Sequence, residues 1–294
     1  MGPAPAGDGV SGASGPGGPT AHDGSPRRDA GGRPVVPAPG PVLFARYAYP
    51  PNALGYCGPA DPAALLGAAS DGSDLATLEQ LAGRFEGAWP YLRLIATCNG
   101  IADPLDRRVV EAYWVGNALL DRVPPSVLVA SLDERFERRT RRDFASIATS
   151  VVPLGGIPHH SFHVFAVYPW LGLLRVGMEG APLTVLDRCR IRWGSVEAVS
   201  GDSVVVRSRP LRFAGSRLLL GEERLEVASR GVGGVGFVED VAPGDVVSLH
   251  WDWVCDHLTP RGRARLEHYT ALNLQAVNAL PSPGPAVAAD TRGG

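Results

Sequence analysis

The apolar residues between residues 41 and about 150 recur at the spacing of an α-helix, with polar positions between them. Asp61 and Asp74 each stand directly before such a stretch, where an aspartate can cap the first turn of a helix. The double proline Pro50-Pro51 predicts that no helix runs through that point, because proline lacks the backbone N–H that a helix interior needs. The pattern predicts a mainly helical domain over residues 41–182.

From residue 183 onwards the pattern changes to the two-residue alternation of β-strands. Short runs rich in β-branched residues are separated by turn signals such as Gly201-Asp202. Thr259-Pro260 then predicts the start of a final amphipathic helix that ends at Asn278. The order of elements predicts an α+β protein, in which residues 183–280 form a small β-barrel with a C-terminal helix.

Both ends of the chain have the composition of disordered segments. Residues 1–40 contain 19 glycines and prolines and almost no large apolar side chains. Such a segment cannot bury enough apolar surface to offset the entropy lost on ordering. We therefore predict disordered tails at residues 1–40 and 281–294.

The net charge, the cysteine spacing and the length of the apolar runs argue against some classes of partner and location. The net charge of −2 argues against nucleic acid as a partner, and all of the 28 basic residues are arginine. The four cysteines are far apart, and no apolar run is long enough to span a membrane. We expect a cytoplasmic protein with reduced thiols and without membrane insertion.

Cys189 and His250 are the first candidates for a metal site. A thiolate and an imidazole together suit iron or another transition metal. The simpler interpretation is a buried cysteine and a hydrogen-bonded histidine in the core of the β-module. Cys255 and His257, near the same strand end, are weaker candidates for metal ligation or for orienting His250.

A second cluster, His159, His160 and His163, allows two further interpretations. As a strand or as a helix it places His159 and His163 on one face, where they are weaker candidates for metal ligation. Alternatively, Cys57 could be the nucleophile of an enzyme, with His160 or His163 as the base that keeps its thiolate available. A third hypothesis, an assembly scaffold without metal, needs neither site.

Three segments of residues 188–270 form an ordered set: Cys189-Arg-Ile-Arg-Trp-Gly-Ser-Val196, the Gly201-Asp202 turn with its valine strand, and Gly244-Asp-Val-Val-Ser-Leu-His250. Together they resemble the HypC/HupF family of [NiFe]-hydrogenase maturation chaperones. The family's chains similarly open on a cysteine, pass a Gly-Asp turn and end on a histidine before a C-terminal helix. Arg46–Pro59 and His159–His163 are similar to uncharacterised actinobacterial proteins associated with uptake-hydrogenase gene clusters.

The resemblance implies a fold, a cofactor and partners. It implies a small OB-like barrel in which Cys189 and His250 hold an iron that carries cyanide and carbonyl ligands. The implied partners are the [NiFe]-hydrogenase large subunit or another maturation factor. On this basis we expect an accessory protein that carries or hands over an iron fragment rather than an enzyme.

Overall fold

The computed structural model describes residues 1–2, 27–28, 34–35, 37–72, 74–136, 152–178 and 180–280. Most of the predicted tail at 1–40 and all of the predicted tail at 281–294 lie outside the described residues. The chain divides into two compact units, Met1–Val36 and Pro37–Gly294. In the first unit, β1 (Arg27–Arg28) pairs antiparallel with β2 (Pro34–Val35).

The second unit begins with helices, as the apolar spacing predicts. The helices before the strands are α1 (Gly40–Ala53), α2 (Pro62–Asp71), α3 (Leu75–Ala82), α4 (Trp89–Cys98), α5 (Arg107–Trp114), α6 (Pro125–Phe136), α7 (His160–Phe162), α8 (Trp170–Arg175) and α9 (Ala181–Cys189). A 3-10 turn covers Leu120–Arg122, and a π-helical turn, His163–Val167, continues α7. The carboxylates of Asp61 and Asp74 accept hydrogen bonds from the first turns of α2 and α3, which confirms both predicted caps.

α1 lies at the centre of this unit, with nearly every residue from Gly40 to Asn52 buried. A side chain at residue 40 would overlap the Leu105 carbonyl at 1.6 Å, so the helix can pass that backbone only as glycine. The prediction that Pro50-Pro51 excludes helix was wrong, because α1 includes both residues. They stand in its last turns, where few hydrogen bonds are lost and tertiary packing holds the backbone.

The strands follow in the second half. They are β3 (Arg192–Ser200), β4 (Ser203–Ser208), β5 (Leu211–Ala214), β6 (Arg217–Leu220), β7 (Arg224–Ser229), β8 (Gly231–Val232), β9 (Val235–Gly236), β10 (Val246–His250) and β11 (Trp253–His257). The pairings of β3 with β4, β4 with β7, β7 with β11, β11 with β10 and β10 with β3 form a closed ring. All of them are antiparallel except the one between β7 and β11, so the sheet is mixed.

Two local predictions in this half are confirmed and one is wrong. Gly201-Asp202 joins β3 to β4, and the last helix, α10 (Pro260–Asn278), starts after Thr259, whose hydroxyl caps it. Strands do not begin at residue 183, because residues 181–189 form α9. Its buried positions, Pro182, Val185, Leu186 and Cys189, have the spacing of one helical face. Cys189 therefore ends a helix instead of opening a strand.

The described residues give an α+β protein with a C-terminal helix, as predicted. The buried side chains of the helices and strands belong to one hydrophobic core. α1 touches the ring directly, through the hydroxyls of Tyr47 and Ser248 at 2.8 Å and through Arg46 and Asp256 at 3.3 Å. The division into domains at residue 182 stays a prediction. Within the described ranges, no helix is long and apolar enough to cross a bilayer.

Candidate metal centre

Three buried side chains converge where the helical part meets the strand ring. One ligand atom from each of His160, Cys189 and His250 lies within 4.8 Å of the other two. His160 begins α7, Cys189 ends α9 and His250 ends β10, so three segments distant in sequence supply the group. One thiol and two imidazoles at this separation are a donor set for a transition metal.

His250 is fully buried and held by one of its two ring nitrogens. Nδ1 lies 2.6 Å from the carbonyl oxygen of Tyr47 in α1. A carbonyl only accepts hydrogen bonds, so Nδ1 carries the hydrogen and Nε2 carries the lone pair. Among the described residues no group forms a hydrogen bond with Nε2. His250 therefore offers a lone pair in the form that a metal ligand requires.

His160 differs from His250 because both of its ring nitrogens have hydrogen-bond partners. Nε2 lies 2.8 Å from the Cys189 carbonyl oxygen, and Nδ1 lies 3.2 Å from the Tyr113 hydroxyl. The carbonyl requires Nε2 to donate, which leaves Nδ1 to accept from the tyrosine. Binding of a metal by His160 would have to replace one of these two hydrogen bonds, so His160 is less prepared than His250 to act as a ligand.

Burial sets the protonation states of the group. It lowers the pKa of His160 to about 4, and it lowers the pKa of His250 well below its usual range, with the neighbouring His160 acting in the same direction. Both imidazoles are therefore neutral at physiological pH. Burial also raises the pKa of the Cys189 thiol, and the Trp251 side chain opposes that shift. A bound cation would displace the thiol proton, because a coordinating thiol is deprotonated.

The group borders a cavity of about 200 Å³ with a largely aromatic lining. The aromatic residues around it include Tyr56, Phe85, Tyr113, Trp114, Tyr168, Trp170 and Trp251. Cys57 and His163 line the same cavity. Ligands of a metal other than the three protein atoms would occupy this space.

A buried ion pair holds the turn that follows His250. The Arg192 guanidinium donates to the Glu226 carboxylate at 2.5 Å and to the Trp251 carbonyl. The Trp251 amide donates to the Arg188 carbonyl at 2.7 Å, so both backbone polar groups of Trp251 are paired. Trp251 has a φ of 51°, a strained value for a large side chain. These contacts stabilise the chain reversal that directs His250 towards Cys189.

Cys57 lies in a turn at the edge of the cavity. The Asn52 amide donates to the carbonyls of Cys57 and Pro59, at 2.8 and 2.6 Å, and fixes the turn. The Tyr56 ring stacks on Trp251 with 4.4 Å between ring centroids. Burial raises the pKa of Cys57 to about 12, so its thiol is protonated at neutral pH.

The remaining predicted ligands lie outside the group of three. His159 Nδ1 pairs with the Ser161 hydroxyl at 2.7 Å, and His163 Nδ1 lies 3.4 Å from the Tyr91 hydroxyl. The Cys255 thiol is buried and faces the Trp253 carbonyl. The partly exposed His257 lies beside the Glu239 carbonyl and 3.8 Å from Asp245. The structure thus places Cys189 and His250 together and adds His160.

Sequence reasoning assigned His160 only to the alternative enzyme, as a base. The pattern of His159–Phe165 left strand and helix open, and the structure shows a helical turn that begins at His160. The cluster of histidines was a signal for metal chemistry, but nothing in its spacing identifies which ring meets Cys189. That depends on the packing of α7 against α9 and β10.

A family model described as a family of unknown function, DUF6390, matches residues 36–283. The chain belongs to this family. The match covers the helices, the strand ring and α10, so the three segments of the candidate metal centre all lie within it. The comparisons with curated proteins and with solved structures give no match.

Proposed function

We propose that this DUF6390 member binds a transition-metal ion through His160, Cys189 and His250 and carries it to another protein. The observation that supports the proposal is the approach of the three ligand atoms to within 4.8 Å beside a largely apolar cavity. Three protein ligands leave coordination positions open, and the cavity lies where further ligands would be. A carrier needs such a site because it must also release its metal.

The identity of the metal and of the partners comes from the resemblance to HypC/HupF chaperones. A thiolate with two imidazoles suits several transition metals, and the resemblance selects iron with cyanide and carbonyl ligands. In this proposal the ring of strands is an OB-like barrel. The protein works in the cytoplasm, where thiols stay reduced, and hands the iron fragment to a [NiFe]-hydrogenase large subunit or another maturation factor.

The alternative of an enzyme centred on Cys57 has weaker support. Cys57 does share the cavity with His160 and His163, as that hypothesis requires. A cysteine nucleophile, however, needs a pKa near or below neutrality, and burial raises the pKa of Cys57 to about 12. Cys189 needs no low pKa in advance, because the metal itself displaces the proton. The protonation states therefore favour the metal centre.

The proposal is tested by purifying the full chain without oxygen from cells that also express the hydrogenase maturation machinery. We expect an equimolar amount of iron and infrared bands of bound cyanide and carbon monoxide. Cys189→Ala and His250→Ala are expected to lower metal affinity by about 100-fold or more, because each removes a ligand. Cys98→Ala and His268→Ala, which change the same residue types outside the group, are the matched controls.

A cobalt(II) titration of the metal-free protein separates the metal site from the maturation role. Thiolate-to-cobalt absorption that is lost in both ligand variants supports the site. Folded wild-type protein that takes up neither iron nor cobalt overturns the proposal. Iron without cyanide or carbonyl bands, from cells whose maturation machinery is active, overturns the hydrogenase part of it.

A further inference from the structure

We propose that Pro51 is a positioning residue, which makes the Tyr47 carbonyl accept from His250 Nδ1 and so directs the lone pair of Nε2 at the metal position. This inference rests on the proposed function, since it concerns how one metal ligand is prepared. It assigns a role to Pro51, one of the two prolines inside α1, which the helix by itself does not need.

Pro51 changes the hydrogen bonding of the α1 backbone. In an α-helix the N–H of residue 51 would donate to the carbonyl of residue 47. Pro51 has no N–H, and its ring clashes with that same carbonyl and tilts it away from the helix axis. In this structure the Tyr47 carbonyl accepts a hydrogen bond from Nδ1 of His250, at 2.6 Å. His250 lies 203 positions away in sequence.

The contact with the Tyr47 carbonyl sets the tautomer of His250. Since the carbonyl forces the hydrogen onto Nδ1, the other nitrogen, Nε2, is a pure acceptor in metal-free protein. It is buried, and no described group donates to it. A buried acceptor that receives no hydrogen bond lowers the stability of the folded state. Coordination of a metal would offset that cost, so the arrangement favours the metal-bound form.

The competing tautomer of His250 also has a possible partner. That partner is the Cys189 carbonyl, which in this structure accepts its hydrogen bond from His160 Nε2 at 2.8 Å. If the hydrogen moved to Nε2, it would point towards Cys189 and occupy the place of the metal. The contact with Tyr47 prevents this, and Pro51 keeps the Tyr47 carbonyl oriented for that contact.

Pro50 provides a matched control within the same helix. Its helical acceptor would be the carbonyl of Arg46, which takes part in none of the described hydrogen bonds of the three candidate ligands. The acceptor for residue 51, the Tyr47 carbonyl, pairs with His250. Pro50→Ala and Pro51→Ala therefore each add one backbone N–H to α1, so the two variants carry the same chemical change at neighbouring positions. Only Pro51→Ala introduces a donor that competes with His250.

The test uses the full metal-free chain, with circular dichroism to show that each variant is folded. Nitrogen-15 NMR of the histidine rings reports the tautomer, and His250→Gln identifies the signal among the seven histidines. We expect the Nδ1–H form in the wild type and in Pro50→Ala. We expect Pro51→Ala to populate the Nε2–H form and to bind cobalt(II) about 10- to 100-fold more weakly.

An Nε2–H tautomer in the wild type, or Pro50→Ala and Pro51→Ala variants with the same tautomer and the same affinity, would overturn the inference. Failure of the proposed function has a different signature. In that case the wild type would show the Nδ1–H form but would bind no metal, and the role of Pro51 in orienting His250 would stand.

Discussion

Glu226→Met is expected to lower the free energy of unfolding by about 3–5 kcal/mol, because it leaves a buried guanidinium without its buried counter-charge and, among the described residues, with only the exposed Asp252 at 4.0 Å. The side chains of Glu226 and Arg192 are 6% and 1% exposed, with 2.5 Å between carboxylate and guanidinium. Glu226 also accepts from Ser208 and Arg188, so three donors lose their acceptor at once. Since Arg192 holds the Trp251 carbonyl, we also expect weaker binding of cobalt(II).

Urea denaturation followed by circular dichroism measures this change. The matched control is Glu197→Met on β3, whose ion pair with Arg207 is about 40% exposed on both sides and is worth at most about 1 kcal/mol. The double variant Arg192→Met/Glu226→Met removes both buried charges and should recover much of the loss. A single Glu226→Met variant as stable as Glu197→Met would contradict the assigned importance of the buried pair.

Acidification is expected to destabilise the metal-free protein steeply below pH 6.5. Burial lowers the pKa of His159 to about 3, that of His160 to about 4 and that of His250 well below its usual range. In the unfolded chain these histidines titrate near pH 6.5, so below that pH the unfolded state binds more protons than the folded state. Each buried histidine then lowers the free energy of unfolding by about 1.4 kcal/mol per pH unit.

The direction of the pKa shifts fixes both the sign of this change in stability and the pH range in which it occurs. The stability that each histidine contributes is fully present above pH 6.5 and is lost as the pH falls through its folded-state pKa, which is about 4 for His160, about 3 for His159 and well below the usual range for His250. Urea denaturation at pH 7.5, 6.5, 5.5 and 4.5 should show a flat region followed by a steep fall. His160→Gln should reduce the slope, whereas His268→Ala on the exposed face of α10 should not. A curve of unchanged slope in His160→Gln would refute the assignment.

Local signals in the sequence were reliable where they depend on a few neighbouring residues. The aspartate caps of α2 and α3 and the Thr259 cap of α10 depend on side chains that bond the backbone next to them, and the Gly201-Asp202 turn depends on the positive φ of Gly201. Such interactions are the same in any tertiary context. The α+β order of elements follows from them and from the two apolar periods.

Predictions failed where tertiary packing decides between two local possibilities. Residues 181–189 combine β-branched and apolar residues with Pro182, and the packing of one helical face against the core made them a helix. The two prolines of α1 predicted the absence of helix, yet the core encloses that helix. His250 donates to the Tyr47 carbonyl, to which Pro51 cannot donate because it has no N–H. Propensity describes the isolated segment, and burial can override it.

By itself, the sequence determined the order of helices and strands, the caps and turns between them, and the residue types able to bind a metal. Only the tertiary structure decided that His160, Cys189 and His250 meet, and that the carbonyl of Tyr47 orients one of them. The physical reason is that a metal site needs ligand atoms a few ångströms apart, whereas sequence patterns report only the spacing along a single element. Contacts between α1, α7, α9 and β10 are made by the folded core, and no local pattern encodes them.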